Sequence, residues 1–143
     1  MIGSKRVVLD ANILLRGVFG VRVAHVLTSF HDTVEFYSTD ACVVEALRHI
    51  PGIAREKGLY PGRSEAELTE LLQLFIGVVD HSLYEQFEEQ ARARIARRDP
   101  DDWPVVATAL LLNAPIWTED QDFFGSGIAT WTTDRIELYL RDS

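Results

Sequence analysis

Four acidic residues lie where predicted strands end or where predicted helices run: Asp10, Glu45, Asp102 and Asp120. Asp10 closes the apolar run 7–9, and Asp120 follows the short predicted strand 116–118. Asp102 opens the apolar run 103–110, whereas Glu45 lies inside the helical run 43–47. Clustered carboxylate oxygens suit hard cations such as Mg²⁺ or Mn²⁺. If the fold brings these acids to one cleft, the pattern predicts a metal-dependent phosphodiesterase.

Each acid also has an ordinary structural explanation. An isolated aspartate after a strand is usually a turn or helix cap, and Asp102 before Trp103 and Pro104 has the sequence of an N-cap with proline in the first turn. Glu45 has Arg48 three residues further along the predicted helix, where the two could pair. The metal hypothesis therefore depends on all four acids occurring together.

Length and composition indicate one ordinary globular domain covering residues 1–143. The chain has 143 residues, of which 47% are hydrophobic and 25% are charged. No apolar run approaches the roughly 20 residues of a membrane span, and the N-terminus leads into a strand without a secretory segment. We expect a cytoplasmic protein that does not contact a membrane. Cys42 is the only cysteine, so no internal disulfide can form, and its apolar neighbours favour a buried structural thiol.

The net charge of −8 argues against a simple nucleic-acid-binding module, because a surface that follows phosphates is normally basic. It does not argue against an enzyme that acts on nucleic acid. Divalent ions held by the four acids would offset negative charge where a phosphate must approach.

Hydrophobic periodicity alternates between strand and helix along the chain. Strands are predicted at 6–10, 34–38, 78–79, 116–118 and 129–132, and helices at 21–30, 39–57, 64–76, 82–98, 102–113 and 133–140. Ser64 and Glu67 form a capping box that places the start of the third helix. This alternation is typical of a parallel sheet covered on both faces, with its ligand crevice at the carboxyl ends of the strands.

Four segments resemble the PIN-domain family in order and approximate spacing. They are LDANIL at 9–14, the acid within 44–46, the run 102–110, and PIWTEDQDF at 115–123. The resemblance covers nearly the whole chain. It implies a three-layer α/β/α sandwich with a central parallel sheet of about five strands. It also implies a Mg²⁺- or Mn²⁺-dependent ribonuclease of the kind found as the toxin of toxin–antitoxin pairs, often a homodimer that an antitoxin protein neutralises.

Carried over by position, the family's four acids fall on Asp10, Glu45, Asp102 and Asp120. The third is chosen over its neighbours because the family's acid precedes the Ala-Thr-Ala-Leu core of its helix by five residues. We expect Asp10, Asp102 and Asp120 to bind the metal directly. Glu45 is expected to bind it through water or to orient the attacking water. Supporting residues complete the expected site: Asn12 and Thr118 shape it, and Asp122 is either a water-mediated ligand or a turn cap.

The densest basic cluster ends just before Asp102. Arg97 and Arg98 could bind RNA phosphates beside the metal. The structural alternative is a solvent-exposed helix in which Glu88 and Glu89 pair with Arg92.

Two other classes of protein deserve comparison with the nuclease. A non-catalytic PIN-like RNA-binding or regulatory scaffold is expected to lose one or more acids, and all four are present. A phosphoryl-accepting receiver domain needs a phosphoacceptor aspartate on a central strand and a lysine after another strand, and Lys5 and Lys57 are not so placed.

Overall fold

A five-stranded parallel sheet forms the centre of the molecule. The computed structural model describes residues 5–95 and 99–141. In these residues the strands are β1 Lys5–Leu9, β2 Val34–Thr39, β3 Ile76–Val79, β4 Ile116–Trp117 and β5 Thr130–Trp131. Every neighbouring pair is parallel, and the strand order is β3-β2-β1-β4-β5. The predicted parallel sheet of about five strands is confirmed.

Helices connect the strands and cover the sheet. They are α1 Ala11–Phe19, α2 Arg22–Phe30, α3 Asp40–Glu56, α4 Pro61–Leu74, α5 His81–Tyr84, α6 Glu88–Arg94, α7 Trp103–Leu112 and α8 Ile136–Arg141. The connections from β1 to β2 and from β2 to β3 advance in one direction, whereas the connection from β3 to β4 returns past β1. Because such crossovers are right-handed, α1 to α4 cover one face and α5 to α7 cover the other. This is the α/β/α arrangement that the sequence predicts.

Strand β1 and helix α7 form the centre of the core. Val7, Val8 and Leu9 are completely buried, as expected for a central parallel strand. Helix α7 is apolar on all sides and packs against β1, β2 and β4. A helix that is hydrophobic all round belongs in a protein interior, and its first seven residues are buried accordingly. The two elements that lead into Asp10 and out of Asp102 are therefore among the most tightly packed.

The largest differences between the prediction and the structure concern three helical regions. Helix α1 was not predicted, because its apolar residues follow the apolar strand β1 with only Asp10 between them. Helix α4 begins at Pro61, with Tyr60 as its N-cap and proline in the first turn, so the predicted start at Ser64 is wrong. The single charged helix expected from residue 82 is instead α5, a 3₁₀ turn at Glu85–Phe87 and α6.

No single helix in the described part of the chain is both long enough and apolar enough to span a bilayer. Helices α1 and α2 meet that test only as a pair, and they are bent by 100° at the break between them.

Candidate metal centre

Asp10 occupies the point where β1 turns into α1. Its carboxylate is 5% exposed and serves as the N-cap of α1, with Oδ1 accepting a hydrogen bond of 2.8 Å from the backbone N–H of Ala11. Because β1 is central in the sheet, its carboxyl end opens toward the crevice that parallel sheets use for ligands. The position of β1 in the sheet thus places the buried Asp10 at this crevice.

Thr118 and Asn12 hold the Asp10 carboxylate from its other side. The register pairs Leu9 with Trp117, so the next residues, Asp10 and Thr118, lie side by side. The Thr118 hydroxyl donates to Asp10 Oδ2 at 2.9 Å, and Asn12 Nδ2 donates to the same oxygen at 2.9 Å. Thr118 Oγ1 also accepts from Asn12 Nδ2 at 3.2 Å and from the backbone N–H of Asp120 at 2.9 Å. A hydroxyl has one donor and two acceptor sites, so Thr118 uses all of its capacity here.

Three further acids come within reach of one another beside this network. One carboxylate oxygen from each of Asp102, Asp120 and Asp122 lies within 4.8 Å of the other two, and all three side chains are partly buried. Asp120 is the N-cap of the 3₁₀ turn Gln121–Phe123, and its Oδ1 accepts from the backbone N–H of Asp122 at 2.9 Å. The cap of this turn is therefore Asp120, and Asp122 lies inside the turn.

Asp102 joins the cluster from the N-terminal end of α7. It ends the 3₁₀ turn Pro100–Asp102, whose own N-cap is Asp99, with Oδ1 accepting from the backbone N–H of Asp101 at 3.0 Å. By position Asp102 is also the residue that precedes α7, yet its side chain makes no capping hydrogen bond to that helix. The structure therefore does not support the explanation that Asp102 caps α7.

Glu45 faces the same cleft from α3. A small cleft of about 30 Å³ is lined by residues from three parts of the chain: Asp10, Ala41, Cys42, Glu45, Asp101, Asp102, Pro104 and Val105. Glu45 is exposed, whereas Asp10 forms the buried floor. Glu45 and Arg48 are both described, and they form no ion pair with each other. The predicted alternative of a local helix salt bridge is thus absent from this helix.

Burial and the negative charge of neighbouring acids raise the pKa values of Asp10 and Asp102. Burial raises the pKa of Asp10 to about 6, although its hydrogen bonds from Thr118 and Ala11 oppose the shift. Asp102 has its pKa raised to about 7, first by burial and then by the negative charge of Asp10 and of Asp99. In residues 5–95 and 99–141, no arginine or lysine forms an ion pair with Asp10, Asp102 or Asp120. Asp10, Asp102 and Asp120 therefore concentrate negative charge at this site.

This donor set fits a hard divalent cation. Two oxygen ligands of one ion cannot lie further apart than twice the metal–oxygen distance. For Mg²⁺ this upper limit on the oxygen–oxygen distance is about 4.2 Å. The spacing of up to 4.8 Å in the cluster is slightly wider, so the acids would close by a few tenths of an ångström or bind partly through water. Mg²⁺ normally keeps several waters and takes one or two carboxylates directly, which suits this spacing.

The structure adds residues that the sequence did not single out for the site. Cys42 is buried against Asp10, with Sγ 4.0 Å from Asp10 Oδ1, and burial raises the pKa of the thiol to about 12. It is the buried structural thiol that its apolar neighbours predict. Asp99 is the second addition, and its position before Pro100 is a signal for a turn cap that could have identified it. Arg97 and Arg98, predicted to bind substrate, lie outside the described residues.

Comparison with known proteins connects this geometry to a family. The family model of the PIN domain matches residues 8–141. No functionally curated protein matches the sequence.

Several solved structures share the fold. PAE2754 from Pyrobaculum aerophilum is similar with a TM-score of 0.71 and 13% identity, covering 98% of this chain and 98% of that one. DNA-bound VapBC from Salmonella typhimurium gives a TM-score of 0.70 at 17% identity, covering 90% of this chain and 98% of the other. VapC20 of Mycobacterium tuberculosis, a toxin that cleaves the sarcin–ricin loop, gives 0.59 at 14% identity, covering 86% and 96% respectively. At these identities the likeness concerns the fold.

Proposed function

Because this chain belongs to the PIN-domain family, we propose that it is a Mg²⁺- or Mn²⁺-dependent endoribonuclease, the toxin of a toxin–antitoxin pair. The observation that carries the proposal is the convergence of Asp102, Asp120 and Asp122 within 4.8 Å beside the buried carboxylate of Asp10. Burial and the charge of neighbouring acids raise the pKa values of Asp10 and Asp102, so holding these two carboxylates here costs the metal-free fold stability. Such an arrangement is typical of functional sites.

The acids divide into groups with different tasks. Asp102 and Asp120 bind the cation directly, together with Asp10, whose orientation is held by Thr118 and Asn12. Asp122 adds a further oxygen donor from the adjacent turn. When bound, a divalent ion supplies Lewis acidity, which neutralises charge on phosphate oxygens and makes water a better nucleophile.

Glu45 stands apart from these ligands. It is exposed on α3 at the rim of the cleft, where an attacking water would enter. As a carboxylate it accepts a hydrogen bond from that water and orients the oxygen toward phosphorus. Attack forms one P–O bond to the water oxygen while a proton of that water passes to the Glu45 carboxylate. The P–O bond to the leaving oxygen breaks, and the leaving oxygen takes up a proton from solvent.

Partners of the protein follow from the same proposal. RNA is the proposed substrate, and Arg97 and Arg98, which shortly precede Asp102 in the sequence, are its proposed phosphate-binding residues. An antitoxin protein is a proposed partner, because the similar structures include VapBC from Salmonella typhimurium and a toxin–antitoxin complex from Klebsiella pneumoniae. We also expect the protein to form a homodimer.

Cleavage of single-stranded RNA by the purified protein tests the proposal. Wild type should cleave with Mg²⁺ or Mn²⁺ and should lose activity in excess chelator. Asp102→Asn should lower the rate by orders of magnitude, since it removes a charge from the metal site. Asp32→Asn is the matched control, because Asp32 is exposed in the turn before β2, at the opposite edge of the sheet.

Two results would contradict the proposal. Full activity of Asp102→Asn would remove this acid from the reaction. RNA binding without cleavage under either metal would favour the alternative, a non-catalytic PIN-like scaffold.

A further inference from the structure

A second and larger groove lies beside the acidic cleft. It has a volume of about 390 Å³ and is lined by Asp40, Ala41, Val44, Arg48, His81 and Tyr84. Ala41 lines both the groove and the cleft, so the two adjoin at the first turn of α3. The cleft holds about 30 Å³, which suits an ion or a water, whereas the groove falls within the about 300–1,000 Å³ of ligand sites.

The charge of the groove differs from that of the cleft. Asp40 is its one acidic lining residue, and three donors already occupy that carboxylate. They are the backbone N–H of Ala41 at 2.7 Å, the backbone N–H of His81 at 2.8 Å, and the hydroxyl of Tyr84 at 2.6 Å. Hydrogen bonds of this kind spread the negative charge of a carboxylate over its donors. Asp40 therefore fixes the wall of the groove and presents little free charge to it.

Arg48 is the cation of this groove. It is exposed on α3, three residues after Glu45, and within the described segments it forms no ion pair with a carboxylate. By contrast, Arg92 lies near the same region but is held by Glu88 at 2.8 Å and lies over the Trp103 ring. In a chain with net charge −8, an unpaired arginine beside an acidic cleft has a charge available for an anionic ligand.

The remaining walls suit an unstacked base. Val44 is 55% exposed and gives the groove an apolar side. The His81 ring packs edge-on against Tyr84 and Trp103, at centroid distances of 5.2 and 5.7 Å, and its Nε2 lies 3.2 Å from Glu85 Oε2, so these contacts together define its position. Proteins that bind single-stranded RNA commonly stack bases on aromatic or histidine side chains and hold the backbone with arginine.

We propose that the groove between α3 and α5 binds the RNA nucleotide that flanks the scissile phosphate, with Arg48 contacting its phosphate and His81 and Val44 contacting its base. The inference rests on the proposed ribonuclease function and assigns the path of its substrate. It makes Arg48 a substrate-binding residue that acts next to the metal site without holding metal.

The test measures RNA binding under conditions in which no cleavage occurs. A fluorescent single-stranded RNA of mixed sequence is titrated with Asp102→Asn protein, in the absence and presence of Arg48→Gln, over a range of KCl concentrations. Each phosphate contact on a single strand contributes about 0.7 to the slope of log affinity against log salt. Arg48→Gln should weaken binding and reduce the magnitude of that slope by about 0.7, and Arg48→Lys, which keeps the charge, should retain it.

Arg55→Gln is the matched control. Arg55 is exposed on the same helix, carries the same charge and lies about 21 Å along the axis from Ala41. It should leave the slope unchanged. As a single variant with Asp102 intact, Arg48→Gln should also keep the wild-type thermal shift with Mn²⁺, which shows that the fold and the metal site are intact.

The outcomes separate this inference from the proposed function. If wild type cleaves RNA but Arg48→Gln binds it with the parent affinity and salt slope, the groove assignment is overturned and the groove is left to a protein partner. If wild type fails to cleave with any metal while binding depends on Arg48, the nuclease proposal fails and the RNA groove stands.

Discussion

The hydroxyl of Thr118 donates a hydrogen bond to the carboxylate of Asp10 across 108 residues of sequence, at a distance of 2.9 Å. Thr118 is 2% exposed and Asp10 is 5% exposed, so water does not compete for this bond. The bond opposes the effect of burial on the Asp10 pKa and keeps the acid closer to its charged form. The neighbour of a proposed metal ligand thus helps to determine its charge.

Replacing this hydroxyl should therefore weaken metal binding. Thr118→Val keeps the shape but removes the donor to Asp10 and the acceptor for the Asp120 N–H. Mutation of a residue that supports a metal ligand typically lowers metal affinity by about 10–100-fold, and we expect the dissociation constant of Thr118→Val for Mn²⁺ to rise within that range. Calorimetric titration near neutral pH measures it. Thr118→Ser should restore most of the affinity, and equal affinities in all three proteins would contradict this role.

Removing the charge of Asp102 should cost the metal-free protein little. Its side chain makes no capping bond to α7 and is repelled by neighbouring acids, so Asp102→Asn should leave the apo stability unchanged or slightly higher. Mn²⁺ at 100 times its dissociation constant should stabilise wild type by about 2.7 kcal/mol, and Asp102→Asn should lose most of that gain. Denaturant unfolding with and without Mn²⁺ gives both quantities.

Asp120→Ala provides the contrast to that variant. It also removes a proposed ligand, but it deletes the cap of the turn Gln121–Phe123. Loss of a cap typically costs about 1 kcal/mol, and this cost should appear without metal. An apo Asp102→Asn protein destabilised as much as Asp120→Ala would mean that Asp102 has a structural role.

The metal-free protein should become less stable as the pH rises from about 4 to about 7. Asp10 and Asp102 have folded-state pKa values of about 6 and about 7, raised from the ordinary value of 3.8. In that window the folded state binds more protons than the unfolded state, so the free energy of unfolding falls with pH. Unfolding in chelator at several pH values measures the trend. Asp102→Asn should flatten it relative to wild type, and an unchanged slope would contradict the Asp102 assignment.

Glu45 should affect turnover more than metal binding. It is exposed at the rim of the cleft, whereas the clustered acids lie deeper. Glu45→Gln keeps the volume but weakens acceptance of a proton from water, so kcat should fall by about 100-fold or more. The Mn²⁺ affinity should change by much less. Glu56→Gln, exposed at the far end of the same helix, is the control. A large loss of Mn²⁺ affinity in Glu45→Gln would make Glu45 a direct ligand.

Several features of the fold follow from sequence alone for local physical reasons. The apolar runs of β1 and α7 must be buried in the folded protein, because neither run has a polar face that could be exposed to water. Strands alternating with helices imply a parallel sheet, and a parallel sheet gathers its carboxyl ends at one edge. Asp10 and Asp120 were therefore predicted to lie at the same edge. Their placement required no knowledge of any tertiary contact.

The limits of helices depended on contacts that sequence does not display. The charged segment after residue 82 has the composition of one continuous helix, but buried Tyr84 is tied to Asp40 on α3, and the chain forms a 3₁₀ turn directly after it. Helix α1 has no separate hydrophobic onset, since the only polar residue between it and β1 is Asp10. Tertiary packing overrides local propensity after Tyr84, whereas α1 was missed because hydrophobicity alone does not mark its start.

The sequence by itself determined which acids could share a site, because their types and positions at element ends are local properties. Only the tertiary structure decided which of these acids lie close enough together to share a cation. It placed Asp122 in the tight group with Asp102 and Asp120, and it joined Asp10 to Thr118. It also left Arg48 free of the salt bridge that its spacing from Glu45 allows. Distances between side chains on different elements depend on strand register and helix packing, which no single segment of the chain specifies.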